Sequence, residues 1–474
     1  MESTEAELVE NRTFDEIRVG DTASLVKTVT KEDIDLYGAV SGDANPVHFD
    51  EEFARAGRFE GITAHSMLAA GLFSNLLGNR LPGSGTTYLR QDLNFRRPVL
   101  AGDTVTVSVT AREKHPADKT VLFDCACVNQ DGETVLAGTA EVIAPQEKSR
   151  RPAHELLQVH VRRHDKYDRL IARTKENPAI PTAVAHPCDE SSLKGAVEAA
   201  AAGIIVPILV GPENRIRAAA DQAGVDIRSF ELVPAEHSHA AAAKAVELVR
   251  TGHAELLMKG SLHSDELLRE VAARETGLRT ERRISHVFIM DVPSYPEPLF
   301  ITDAAVNIAP DLEAKLDIVQ NAIDLHQGLG LGPPRVAILS AVETVTPKIP
   351  GTIDAAVLCK MADRGQITGG ILDGPLALDN AISPEAARIK GIKSEVAGRA
   401  QILLVPDLEA GNMLAKNLSF LANADAAGIV LGARVPVILT SRADSVRTRM
   451  ASCAVAALYA HARRQGSAPK GLAA

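Results

Sequence analysis

The feature that most restricts the fold is a change of texture near residue 150. Residues 146–155, QEKSRRPAHE, are charged, contain proline and follow no hydrophobic period, which is the signature of a linker. The chain has 474 residues, more than one ordinary core accommodates, so a division here is expected. The predicted parts are 1–145, the linker 146–155, and 156–474.

Upstream, the pattern is that of an α+β unit. Thr63–Gly78 carries Met67, Leu68, Gly71, Leu72, Leu76 and Leu77 at helical spacing. Val105–Arg112 puts Val105, Val107 and Val109 on one face of a strand. Thr120–Asn129 and Thr134–Ile143 flank Asp131-Gly132, a strong hairpin signal. One apolar helix followed by antiparallel strands predicts a helix wrapped by a curved sheet. Downstream, after a helical segment at about Leu156–Glu176, short apolar runs alternate with Ala-rich helices. Strands are predicted at Ile204–Val210, Ile284–Val292, Val336–Ala341, Ile402–Val405, Gly428–Leu431 and Val435–Thr440. Helices include Ala240–Thr251 and Leu312–His326. Continuous apolar strands separated by helices predict an α/β unit with a mostly parallel sheet.

Composition removes several function classes. With 51 basic and 61 acidic residues the formal charge is −10, so general binding to nucleic acid or to an anionic membrane is not expected. Aromatic content of 3% argues against base stacking. The five cysteines are odd in number and include no CxxC, which suggests neither a disulfide framework nor a zinc ribbon. Cys125 and Cys127, two apart in a strand, are read as small apolar groups on one face. The acidic start, MESTEAELVENRTF, has no apolar core of a leader, and no apolar window spans a bilayer. A cytoplasmic, soluble protein is the expectation.

The first chemical constellation is Ser41-Gly42-Asp43-Ala44-Asn45-Pro46-Val47-His48. Adding water to a conjugated thioester requires an activated water at one carbon and a proton at the next. A carboxylate and an imidazole flanking one water can share that work. Asp43 and His48 lie five apart across Asn45-Pro46, where a turn can bring them together. On spacing alone they are equally well read as turn and capping residues. The segment resembles the MaoC-like dehydratase family, hot-dog hydratases with a D-x-N-P-x-H motif followed by an A-H-G-M helix start. Here these stand as Asp43–His48 and Ala64-His65-Ser66-Met67. Tyr88–Pro98 and Gly102-Asp103-Thr104 extend the likeness, which covers about residues 10–145. The resemblance implies that Asp43 and His48 are the catalytic pair, that Asn45 is close by, and that the backbone N–H at Ser66 faces the thioester oxygen. The family usually has glycine at that last position.

The second constellation is Thr440-Ser441-Arg442-Ala443-Asp444-Ser445, directly after an apolar strand. Acyl exchange between CoA and phosphate requires bound anions, a stabilised oxyanion and a group that takes the thiol proton. Arginine suits the first two roles, and strand C-termini are where α/β units bind ligands. Alone, the pattern is also that of a helix cap beside a surface arginine. The region from about 160 to 474 resembles the phosphate acetyl/butyryltransferase family. The likeness rests on Leu257–Asp265, Ile301–Asn307, Leu372–Asp379, Val405–Asn412 and the Thr440–Ser445 run. It implies an isocitrate/isopropylmalate dehydrogenase-like fold of two subdomains with the site in their cleft. It also implies that Ser441 and Arg442 orient the thiol and bind acyl phosphate, with Lys259 and Ser261 as candidate phosphate contacts. Acetate-type members place an aspartate seven residues after the serine as thiol base. Thr448 stands there, while Asp444 is nearer but also fits a helix cap.

Other signals are weaker. Gly328–Gly332 follows a helix and precedes Pro333-Pro334, so it is read as a helix end rather than a dinucleotide loop. His160/His164 and His237/His239 have no third ligand, and no metal is expected. The expected function is therefore bifunctional: reversible hydration of trans-2-enoyl-CoA to (3R)-3-hydroxyacyl-CoA, and acyl transfer between CoA and orthophosphate. Coenzyme A thioesters and phosphate are the expected substrates, with no cofactor, and a homo-oligomer is the expected state. The alternative is that only one half is catalytic and the other binds acyl-CoA or drives assembly. A dehydrogenase lacks a supporting nucleotide and metal pattern.

Overall fold

The computed structural model describes residues 8–152, 166–440 and 444–466. The chain divides into two units, Met1–Val161 and Arg162–Ala474.

In the first unit, β1 (Leu8–Glu10) and β2 (Thr22–Thr28) lead into α1 (Lys31–Ser41), a 3-10 turn (Pro46–His48), α2 (Glu51–Ala56) and α3 (Ser66–Asn79). Then come β3 (Thr87–Phe95), β4 (Thr104–His115), β5 (Thr120–Val128), β6 (Thr134–Ile143) and β7 (Arg150–Pro152). The strands β2-β4-β5-β6-β3 form an antiparallel five-stranded sheet. Alternation decides which side chains reach its core: Val105, Val107 and Val109 are fully buried, as are Phe123 and Cys127. Phe73, Leu76 and Leu77 of α3 pack onto that face, giving the helix-in-sheet arrangement of a hot dog. Burial pushes the thiols of Cys125 and Cys127 up to about 12 and about 11, so both are inert core groups.

Two boundaries differ from expectation. The helix begins at Ser66 rather than Thr63, because Thr63 bridges Leu100 and donates its N–H to Val47 O at 3.1 Å. The linker is partly ordered: Arg150–Pro152 pairs antiparallel with Leu8–Glu10. That strand owes its existence to a partner about 140 residues away, which no local pattern reveals.

The second unit runs α4 (Lys166–Thr174), β8 (Ile180–Ala185), α5 (Glu190–Ala201), β9 (Ile205–Gly211), α6 (Glu213–Ala223), β10 (Glu231–Pro234) and α7 (Ser238–Arg250). It continues through β11 (Leu256–Lys259), α8 (Ser264–Val271), β12 (Ser285–Asp291), β13 (Leu299–Thr302), α9 (Leu312–Gly328), β14 (Arg335–Leu339) and α10 (Pro350–Asp363). It closes with β15 (Ile371–Leu376), α11 (Leu378–Ile382), α12 (Pro384–Ile389), β16 (Ile402–Leu404), α13 (Leu408–Leu421), β17 (Asp425–Leu431), β18 (Val437–Ile438) and α14 (Val446–Arg464). Of the helical segment expected at 156–176, Lys166–Thr174 is seen, and residues 153–165 lie outside the described residues.

One 11-stranded sheet, β10-β9-β8-β11-β18-β17-β12-β13-β16-β14-β15, runs through this unit. Neighbours are parallel except at β18-β17, β17-β12 and β12-β13. The strand direction therefore reverses in the middle of the sheet. One face carries a continuous core that includes Met258, Ile429, Val287 and Ile338, covered by α4, α5, α9, α10 and α14. The other face carries two separate cores. One lies around Leu257 and Val437 under α7 and α8, the other around Met290 and Ile301 beside α13. Between them, alternation puts Lys259, His286 and Gly428 on the same face. A topological reversal with polar residues between two cores is where α/β sheets open a ligand crevice.

Candidate active sites

In the first unit the left-handed Gly42 ends α1 and releases the chain into Asp43. Asn45 then caps the 3-10 turn, its Oδ1 accepting from the Val47 N–H. This turn carries His48 inward to 8% exposure while Asp43 stays exposed. Asp43 Oδ2 stands 3.9 Å from His48 Nε2. His48 Nδ1 is 2.7 Å from Thr63 O. A carbonyl only accepts, so Nδ1 carries the hydrogen and a neutral His48 presents a bare Nε2 to Asp43.

A third side chain completes the cluster. The His65 ring stacks on His48 with centroids 3.8 Å apart, and its Nε2 is 3.1 Å from Asp43 O. By the same reasoning Nε2 donates, which ties the Asp43 backbone to the ring that stacks on His48. His65 is also the N-cap residue of α3, yet its Nδ1 is buried and has no partner among the described residues. A cavity of about 220 Å³ lies beside these groups, lined by Asn45, His48, His65, Ser66, Phe95 and Val99 among others. Ser66 opens α3, so its N–H is one of the helix-start donors without an intrahelical acceptor.

In the second unit the polar groups gather at the C-terminal ends of β8, β11 and β18. Lys259, the last residue of β11, is 3% exposed and donates from Nζ to Thr440 O at 3.2 Å. Arg449 on α14 is 1% exposed; its Nη1 donates to Thr440 Oγ1 at 2.7 Å and its Nε to Ser191 Oγ at 3.2 Å. Burial pushes its pKa down, against the opposing pull of Asp444 and Asp189. Two buried cations thus fix Thr440, the residue before Ser441. His286, on β12, is 1% exposed, with Nδ1 unpartnered among the described residues and its pKa pushed down to about 4 by burial, against the pull of Asp303. The Asp303 carboxylate is held by the N–H groups of Ala305 and Val306 and by Asn307 Nδ2, so it organises its own turn.

Known proteins resolve what these arrangements belong to. The chain matches the family Phosphate acetyl/butaryl transferase over residues 236–457 and the MaoC like domain over residues 18–127. It is 72% identical over 299 residues to a phosphate acetyltransferase of Rhizobium meliloti, covering 63% of this chain and 95% of that protein. The chain belongs to the phosphate acetyl/butyryltransferase family. It carries a MaoC-like hot-dog domain as well. It is also 44% identical over 294 residues to a phosphate butyryltransferase of Clostridium acetobutylicum, covering 62% of this chain and 98% of that one. Among solved structures, a branched-chain phosphotransacylase from Enterococcus faecalis V583 is similar at 31% identity and a TM-score of 0.53, covering 60% of this chain and 99% of that one.

Within this phosphate acyltransferase half, several expected residues take other roles. Ser441 and Arg442 lie outside the described residues. Lys259, a candidate phosphate contact, is buried and donates to the backbone at Thr440 O. Ser261 Oγ is engaged within the protein: it lies 2.8 Å from His186 O and 3.0 Å from His186 Nδ1, and accepts from Cys188 N at 3.3 Å. Asp444 does not cap α14; Ser445 does, accepting from Thr448 N at 3.1 Å. Thr448 accepts in turn from the Ser445 hydroxyl, and a threonine hydroxyl is no base near neutral pH. Gly330 and Gly332, both at positive φ, lie just past the end of α9 in the turn before β14. His237 caps α7 and His239 pairs with Glu266, while His160 and His164 lie outside the described residues.

Sequence reasoning missed His65, His186 and Arg449. For His65 a signal existed, an imidazole opening an apolar helix, but only the backbone there was considered. His186 and Arg449 are far apart in sequence and meet only through the sheet.

Proposed function

We propose that the first unit reversibly hydrates a trans-2-enoyl-CoA to the (3R)-3-hydroxyacyl-CoA, and that the second exchanges an acyl group between CoA and orthophosphate. The observation that carries the hydratase reading is the 3.9 Å gap between Asp43 Oδ2 and His48 Nε2. Both atoms are acceptors, since His48 spends its N–H on Thr63. Two acceptors at this spacing do not bond each other, but one water can donate to both. Its lone pairs are then free to attack C3. As the C–O bond forms, an O–H proton passes to the pair and a proton passes from the pair to C2, so one water adds across the double bond. Enolate charge on the thioester oxygen faces the Ser66 N–H at the positive end of α3. Asn45 lines the substrate cavity. At about 220 Å³ that cavity is below the roughly 300–1,000 Å³ usual for drug-sized ligands, which favours a short acyl chain.

The acyltransferase reading rests on family membership. The geometry that supports it is Thr440, fixed by Lys259 and Arg449, ahead of Ser441 and Arg442 as the acyl phosphate and thiol contacts. The two cores on one sheet face fit a two-subdomain fold of the isocitrate/isopropylmalate dehydrogenase type with its site in the crevice. No cofactor beyond CoA thioesters and phosphate enters either reaction. No helix among the described residues is long and apolar enough to cross a membrane. A cytoplasmic homo-oligomer is proposed from the family resemblance alone. The domain limits proposed are 1–145 and 156–474.

Paired assays on the full chain test this. One follows loss of enoyl absorbance from crotonyl-CoA, the other phosphate-dependent release of CoA from acetyl-CoA and butyryl-CoA. Both should run. Absence of hydration sinks the first reading, and absence of phosphate dependence sinks the second.

A further inference from the structure

Thr448 leaves the second unit without an evident group to take a thiol proton. Another residue at the strand ends has the form such a group needs. His186 follows β8 directly, and Gly260 follows β11 beside it, its N–H bonded to Ala185 O at 2.9 Å. A Cβ on Gly260 would lie 2.4 Å from Ala185 O and 2.6 Å from His186 O, so only glycine allows this approach.

His186 is held in a costly conformation. Its φ is +55°, a left-handed setting that is unfavourable for a non-glycine residue. It persists because its N–H bonds Val210 O, and its carbonyl accepts from Cys188 N, Ser261 N and Ser261 Oγ. Strain maintained by so many bonds is common where a side chain must be aimed. The ring is oriented too. The Ser261 hydroxyl lies 2.8 Å from His186 O and 3.0 Å from His186 Nδ1. With its hydrogen on the carbonyl, the nearer of the two, Nδ1 donates to Ser261 Oγ and Nε2 is a bare acceptor. That Nε2 is buried and has no partner among the described residues. An unpaired buried acceptor is unfavourable, so a ring anchored at one nitrogen and unpaired at the other is suited to take a proton from a bound group.

We propose that His186 is the general base for the CoA thiol in acyl transfer, with Ser261 as its positioning residue; this rests on the acyltransferase reading of the second unit. His186 Nε2 takes the thiol proton as sulfur attacks the carbonyl carbon of the acyl phosphate. The C–S bond forms and the carbonyl pair moves to oxygen. Collapse breaks the bond between that carbon and the phosphate oxygen, and the proton on His186 leaves with orthophosphate. The sum is acyl phosphate plus CoA giving acyl-CoA plus phosphate.

The charged groups around His186 are Arg215 of α6, Glu266 of α8 and Asp189 at the start of α5. Burial and then Arg215 push its pKa below the usual imidazole range, against Glu266 and Asp189, which keeps Nε2 unprotonated at neutral pH. The neighbouring Cys188 is no rival nucleophile, since burial pushes its thiol up to about 11.

The test uses the full chain with acetyl phosphate and CoA from pH 6 to 9. Asparagine tolerates positive φ, so His186→Asn keeps the turn. At pH 7 its kcat should fall about 100-fold, with KM for acetyl phosphate within about twofold. The deficit should shrink as pH approaches about 8.5, where the thiol ionises without help. Ser261→Ala, which keeps the imidazole but frees its Nδ1, should lose about tenfold in kcat, and it carries the test alone if His186→Asn does not fold. Hydration of crotonyl-CoA should be unchanged in both. Profiles parallel to wild type at all pH values would overturn the assignment while leaving the acyltransferase reading intact. A wild-type chain without phosphate-dependent transfer would sink both.

Discussion

The two sites are built in opposite ways. In the first unit Asp43, Asn45, His48, His65 and Ser66 fall within 24 residues, and one loop and one helix start position all of them. In the second unit His186, Lys259, Thr440 and Arg449 come from segments up to 263 positions apart, brought together by parallel strand ends. A site written in one loop can move or be lost without touching the sheet. A site written across strand ends is inseparable from the fold, so its residues serve structure and chemistry at once: Lys259 and Arg449 both spend hydrogen bonds on Thr440.

This contrast can be broken experimentally, and the largest expected effect is in the compact site. Asp43→Asn removes the carboxylate proposed to act with His48 on the attacking water, while Asp43 itself is exposed and carries little packing. Hydration of crotonyl-CoA should fall by about 10³-fold, with unfolding temperature and acyl transfer unchanged. Loss of both activities would show that the sites are not independent. The distributed site should behave otherwise. Gly260→Ala drives a methyl into Ala185 O and should lower the stability of the second unit by about 2–4 kcal/mol, together with its transferase activity. Calorimetry that finds the second unit's unfolding temperature unmoved would refute that close approach.

Acid separates the halves as well. His286 has its pKa pushed down to about 4 by burial, from an ordinary value near 6.5. The folded state thus binds fewer protons than the unfolded chain between those values. Its contribution is intact above about pH 6.5 and is lost as pH falls toward 4, on the order of 3 kcal/mol. His286→Gln should flatten that part of the stability curve of the second unit. Equal slopes for wild type and variant would remove His286 as the cause. A smaller effect is expected at His65. His65→Phe keeps a ring against His48 but loses the bond to Asp43 O, so kcat for hydration should drop about tenfold with KM little changed. A rise in KM alone would make His65 a pocket wall rather than a positioning residue.

The same contrast explains what could be read from the sequence. The Asp43–His48 pair was legible because its turn chemistry, Asn45-Pro46, is local. The alternating Val105, Val107 and Val109 reveal their core face without any partner. In the second unit the continuous apolar strands were readable, but the reversal at β17 and β12 was not. Each has an apolar centre with polar residues only toward its ends, which carries no mark of direction, and their directions are fixed by pairing with distant strands. The surroundings of Ser261 were hidden for a similar reason. A serine after Lys259-Gly260 suggests a phosphate turn, and only the structure brings His186 O and Nδ1 to its hydroxyl.

The smallest expected effect is the most discriminating between the two sites. Thr448 occupies the third position of α14, its N–H accepted by the Ser445 side chain. A carboxylate there completes a capping box and suits the positive end of the helix, so Thr448→Asp should fold and gain about 0.3–1 kcal/mol. If the acyltransferase lacked only a carboxylate, this substitution would raise its rate tenfold or more. If His186 already takes the proton, the new carboxylate is redundant and kcat should change less than about threefold. A large gain would make the distributed site resemble the compact one, with a carboxylate at its centre. A small change keeps them different, one working through an Asp–His pair and the other through a lone histidine anchored by a serine.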